Sequence, residues 1–100
     1  MRLRELTGYK NIELYKKAKE IYMRLINQIP NNTELLTNLG SIELKLGRYF
    51  EGVDFLEKSI EIDRTQMVAI GNLANGLYEL KKFDEALKVI EGMEHIKAAE

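Results

Sequence analysis

The chain has 100 residues, 45% of them hydrophobic and 31% charged, with a formal net charge of −1 and one proline, which suits a single small folded domain and excludes a disordered or collagen-like chain. Cysteine is absent, so disulfides, thiolate nucleophiles and thiolate metal ligands are excluded. No apolar run reaches the ~20 residues of a membrane span, and charges break the start "MRLRELTGYKNIELYKK" where a signal peptide needs an apolar core; a cytoplasmic location is expected.

Along the chain, residues 1–10 read as a leader or a truncated first helix, and residues 11–97 as a single all-α domain. Apolar residues recur three or four apart in runs that predict helices near 11–29, 33–46, 50–63, 67–80 and 84–97, each with one buried face. No segment reads as strand. The first run, "NIELYKKAKE", has no turn within it. Before the second and fourth helices, Asn31 and Thr65 are candidate N-caps, and Glu34 is placed to close a capping box with Asn31. Between the second and third helices stands Gly47-Arg48, and between the fourth and fifth Lys81-Lys82. Glycine supplies the left-handed residue a tight reversal needs, whereas one of the two lysines must adopt it at a cost.

Charge divides unevenly along the same path. Residues 1–30 hold seven Lys or Arg against three Asp or Glu, residues 31–66 four against seven, and residues 67–100 four against six. The start is basic and the rest acidic. Glu5, Glu13 and Glu20 interrupt the basic start, which favours a solvated face over a nucleic-acid or membrane contact.

The pattern repeats after 34 residues: Leu36, Asn38, Leu39, Leu46, Tyr49 and Leu56 fall on Ile70, Asn72, Leu73, Leu80, Phe83 and Ile90. Shifted the other way, Tyr15, Ala18 and Tyr22 fall under Tyr49, Gly52 and Leu56. Copies are therefore expected at about 1–32 in part, 33–66 and 67–97. Small residues recur as well: Gly40 with Gly52, and Ala74 with Ala86, predict close crossings of paired helices.

"LLTNLGSIELKLGRYFEGVDFLEKSIEID", with its Leu-Gly pair and Gly-x-Tyr turn, and "AIGNLANGLYELKKFDEALKVIEGMEHI" resemble the tetratricopeptide repeat, as does "YKKAKEIYMRLINQIPNN" through Ala18, Tyr22 and Pro30-Asn31-Asn32. The resemblance spans about two and a half repeats and implies a right-handed stack of about five antiparallel helices. Glu43 stands where that family usually has a large aromatic; a buried carboxylate needs a partner, so Glu43 is either exposed or paired with a basic residue of the first helix.

The resemblance implies a non-catalytic protein-protein interaction module or scaffold that binds an extended peptide or partner helix in a concave groove lined by the first helix of each pair. Carried onto this sequence, the peptide-binding residues are Thr37, Asn38, Ser41 and Lys45 in one copy and Asn72, Asn75 and Glu79 in the next. An Asn amide both donates and accepts, so Asn38 and its repeat Asn72 can hold a ligand's main chain without selecting side chains; the alternative is that Asn simply recurs in the motif. The Lys and Arg with which some family members grip a terminal carboxylate are replaced here by Val68 and Asn72. Phe50 is a candidate partner anchor if exposed. Gly71 and Gly76 stand inside a helix, with tight packing the preferred reading for Gly76 and Gly71 left open. His95 is the sole histidine and lacks converging partners, so no catalytic residue, metal ligand or cofactor is assigned. The competing expectation is self-assembly, the basic first helix stacking head-to-tail on the acidic last helix of another copy.

Overall fold

The computed structural model describes the backbone of residues 3–99 and the side chains of residues 11–96. Five helices follow one another: α1 (Leu3–Gln28), α2 (Thr33–Lys45), α3 (Tyr49–Ile62), α4 (Met67–Glu79) and α5 (Phe83–Ala99). The last four lie where periodicity places them. The first begins at Leu3 rather than at 11 and runs on without a turn; Met1, Arg2 and Glu100 lie outside the described residues. Among the described residues no helix is long and apolar enough to cross a membrane.

Each helix packs on its neighbours in sequence, and α2 also touches α4. The core forms in two parts. Val53, Leu56, Leu73, Leu77 and Ala86 gather between α3, α4 and α5, while Ile26, Leu35, Leu36 and Leu39 gather between α1 and α2. The paired glycines explain the close crossing of α2 and α3. A β-carbon on Gly40 would lie 2.5 Å from Leu56 Cγ and 3.1 Å from the Gly52 carbonyl oxygen, and one on Gly52 would lie 2.7 Å from Leu44 Cδ2. Gly76 packs as expected, a β-carbon there lying 2.8 Å from Val53 Cγ2, whereas Gly71 faces open space.

The two intra-pair turns share one hydrogen-bond pattern. The Arg48 amide donates to the Glu43 carbonyl at 2.8 Å and that of Gly47 to Leu44 at 3.0 Å; Lys82 donates to Leu77 at 2.8 Å and Lys81 to Tyr78 at 2.9 Å. These are Schellman turns, each requiring a left-handed residue. Gly47 takes it at φ 79° and Lys81 at φ 63°. Of the two lysines it is Lys81 that carries the strain, which for a residue with a β-carbon is about 1–2 kcal/mol. Lys81→Gly is expected to stabilise the chain by about 1 kcal/mol and raise the melting temperature by roughly 4–8 °C; a fall in melting temperature would contradict the assignment.

The inter-pair loops correct two expectations. Asn32, not Asn31, caps α2, its side chain accepting from the Leu35 amide at 2.9 Å. Thr65 does not cap α4; its amide and hydroxyl both donate to Asp63 Oδ1, at 3.0 and 2.6 Å, which holds the Asp63 carboxyl below its ordinary value. The N-cap of α4 is Gln66, without a side-chain capping bond. Its side-chain Nε2 instead donates back to Ser59 Oγ and the Ser59 carbonyl at 2.9 and 3.0 Å.

Candidate functional site

α2 is the central helix, buried on most of its circumference: Leu35, Leu36, Thr37, Leu39, Gly40, Ile42 and Glu43 are all inside. Its accessible stripe consists of Glu34, Asn38, Ser41 and Lys45, with Leu44 half-buried beside it. Spacings of four, three and four keep these on one side of a helix. The same register on α4 holds Val68, Asn72, Asn75 and Glu79, all exposed except half-buried Asn72. Because α2 and α4 touch, the two stripes belong to adjacent helices.

Thr37 is placed differently. It is 9% exposed, its hydroxyl sharing a 2.8 Å hydrogen bond with Ser59 Oγ and lying 3.3 Å from Gln66 Oε1. Ser59 Oγ also donates to the Thr33 carbonyl at 3.1 Å. Thr37 therefore belongs to a buried polar network joining α2, α3 and the start of α4, not to the open stripe. Phe50, at the start of α3, is 69% exposed; it stands on the second helix of its pair, apart from both stripes. His95 is exposed on α5, and among the described residues no group of side chains is arranged to hold a metal ion.

Two cavities flank α1. One, of about 340 Å³, runs between α1 and α2. Leu14, Tyr15, Ala18 and Tyr22 form its α1 wall. Asn38, Ser41, Ile42 and Lys45 form the other wall, so three of the sequence-derived candidates open into it. Lys45 Nζ sits 5.7 Å from the centre of the Tyr15 ring, a cation–π contact across the groove. The other cavity, of about 650 Å³, lies where α1 meets the end of α2, and Lys16, Lys19, Lys45 and Arg48 line it. Two of those cations are already engaged. Glu43 is 2% exposed, and its Oε1 lies 2.9 Å from Lys19 Nζ and its Oε2 3.1 Å from Arg48 Nε. Of the two alternatives for Glu43, the paired one holds, with Lys19 supplied by α1 and Arg48 by the following turn.

Five helices, joined by short turns and repeating a buried-and-open pattern every 34 residues, define an α-helical repeat array. Residues 33–66 match the tetratricopeptide repeat family, the boundaries of the complete central copy. Over 71 residues the chain is 38% identical to BBSome complex member BBS4 of Bos taurus, which covers 71% of this chain and 14% of that protein; the chain thus spans about one seventh of that relative's length. The fold is similar to the first TPR of Spaghetti (RPAP3) bound to the HSP90 peptide SRMEEVD, with a TM-score of 0.80 at 21% identity over 94% of this chain and 76% of that one. It is also similar to MamA, with a TM-score of 0.79 at 16% identity over 95% and 57% of the two chains. Residues 33–66 thus carry a tetratricopeptide repeat, and the five helices share the fold of tetratricopeptide-repeat structures.

Proposed function

We propose that this chain is a protein-protein interaction module that holds an extended peptide in a concave groove along the stripes of α2 and α4. The observation that carries this reading is the repeated open register: Asn38, Ser41 and Lys45 on α2, Asn72, Asn75 and Glu79 on α4, on helices whose other faces are largely buried. Two amides 34 residues apart offer donor and acceptor pairs suited to a peptide main chain. A peptide-bound tetratricopeptide structure of the same fold supports a peptide as the ligand class. With Val68 and Asn72 at the clamp positions, main-chain recognition is favoured over capture of a terminal carboxylate.

Peptides selected from a displayed random heptamer library on the intact chain provide the test. Asn38→Ala with Asn72→Ala removes two hydrogen-bonding groups worth about 1 kcal/mol each, so affinity is expected to fall roughly tenfold to thirtyfold with oligomer size unchanged. Selected peptides that bind the double variant as tightly as the original chain would overturn the groove reading. Self-assembly has its own supporting observation: Tyr78, Phe83, Leu87 and Ile90 leave an exposed apolar face at the α4–α5 end. Light scattering across protein and salt concentration separates the two: self-assembly gives a concentration-dependent mass without any peptide, and the part driven by a basic α1 against an acidic end dissociates as salt is raised whereas apolar contact persists.

A further inference from the structure

The cavity of about 650 Å³ differs in chemistry from the stripes of α2 and α4. Ile12, Lys16, Lys19 and Met23 reach it from α1, and spacings of four, three and four place them on one side of that helix. Lys45 and Leu46 at the end of α2, with Arg48 of the following turn, close it from the other side. Its volume falls within the range of about 300–1,000 Å³ usual for ligand sites. Part of the wall is apolar: Ile12 is 42% exposed, Met23 37%, and Leu46 half-buried.

The rest of the wall carries an excess of positive charge. Glu43 and Glu51 engage Lys19 and Arg48. Glu20, the one acid in the lining, pairs with Lys17 and Arg24, neither of which faces the cavity. Among the described residues no carboxylate pairs with Lys16 or Lys45. Nor is Lys45 required to cap α2, since the carbonyls of Ile42, Glu43 and Leu44 accept from the backbone amides of Leu46, Arg48 and Gly47. Two ammonium groups and an apolar wall therefore share one space.

We infer that this cavity is a second binding site, and that it takes a segment of a partner protein in which an apolar side chain is flanked by Asp or Glu. The apolar side chain covers Ile12, Met23 and Leu46, and the flanking carboxylates pair with Lys16 and Lys45. Charge and polarity together select this occupant. A nucleic-acid backbone would leave the apolar side chains uncovered and meet Glu20, whereas an uncharged apolar segment would desolvate two ammonium groups without pairing them. An ammonium is a flexible point charge rather than a rigid fork, so the site reads acidic character beside an apolar residue and not a strict sequence. Only Lys45 is shared with the α2 stripe; the inference goes beyond the extended-peptide reading and stands without it.

The probe is an amidated peptide with an N-terminal fluorophore, Gly-Ser-Asp-Leu-Asp-Glu-Ser-Gly, titrated with the intact chain by anisotropy; amidation leaves side-chain carboxylates as the only acids. Saturable binding is expected. Replacing the acidic residues with Asn and Gln, or the leucine with Ser, should each weaken it about tenfold, a loss of about 1.4 kcal/mol. Lys16→Glu should do the same. Lys88→Glu, the same charge change on α5, should weaken it less than about twofold because a distant exposed charge is screened, and Asn38→Ala with Asn72→Ala should change nothing. Thermal melts check that Lys16→Glu is folded, and the altered peptides test the inference on the original chain in any case. No saturation by about 1 mM, an amide-substituted peptide that binds as tightly as the acidic one, or equal losses in Lys16→Glu and Lys88→Glu overturns the inference. Binding that the Asn38 and Asn72 double variant weakens and Lys16→Glu does not also overturns it, while supporting the extended-peptide reading. A mass that rises with protein concentration without peptide, and no longer rises in Lys16→Glu, makes a second copy the occupant and overturns the partner inferred here.

Discussion

Gly40→Leu is expected to prevent folding, and Gly40→Ala to destabilise the chain by about 1–3 kcal/mol, the range for overpacking a close-packed site. The obstacle is a side chain with nowhere to go: Leu56 is 0% exposed, and its Cγ and Cδ2 stand 2.5 and 2.8 Å from the new methyl, with the Gly52 carbonyl behind them at 3.1 Å. The helix propensity regained on replacing glycine, about 1 kcal/mol, does not offset that displacement. Gly52→Ala meets a softer obstacle. Its first contact is the end of Leu44 at 2.7 Å, a half-buried side chain, with the Gly40 carbonyl oxygen behind it at 3.0 Å, so the clash slightly exceeds the propensity gain. Gly71→Ala meets nothing within 4 Å and should gain about 1 kcal/mol. Urea midpoints at constant m-value give the ranking: Gly71→Ala above the original chain, Gly52→Ala close to it, Gly40→Ala below it. Equal stability of the Gly40 and Gly71 variants would sink the packing account.

That ranking shows what the amino-acid pattern discloses and where it stops. The helices were legible because the apolar spacing persists through each of them, and the crossings were legible because Gly40, Gly52, Ala74 and Ala86 recur at the repeat period. The caps were not. Asn31 and Asn32 are equally able to accept an amide, and only the path of the chain beyond Pro30 selects Asn32. Thr37 looked like its stripe neighbours because one helix position is 100° from the next, and its inward turn depends on Ser59 arriving from α3 22 residues later. Of the candidate site, the residues spaced by helical periodicity, Asn38, Ser41 and Lys45, emerged together on one groove wall. The opposite wall is only partly legible: Tyr15, Ala18 and Tyr22 follow the repeat, but that they line a groove with α2 depends on how α1 packs.

Removing both cations from Glu43, by Lys19→Ala with Arg48→Ala, is expected to cost about 3–5 kcal/mol, because it strands a carboxylate that is 2% exposed in a setting where ionisation needs a partner. Either substitution alone should cost less, since the other cation remains within 3.1 Å of one carboxylate oxygen; the losses are then not additive. Adding Glu43→Leu to the double variant should restore most of the stability, as a buried ion pair is commonly no better than a packed apolar side chain. The exposed pair of Lys58 and Asp54 is the reference, with Lys58→Ala expected to cost less than about 1 kcal/mol. The triad also has a positional consequence. Lys19 comes from α1, Glu43 from α2 and Arg48 from the turn beyond, so the charges hold α1 against the helix that carries Asn38, Ser41 and Lys45. Stranding Glu43 should therefore lower hydrogen-exchange protection in α1 before the α3–α5 core opens, and loosen the groove between α1 and α2. Restoring stability with Glu43→Leu should restore that protection as well. A triple variant that melts like the original chain but leaves α1 exchanging freely would show that the charges, and not burial alone, set the position of α1.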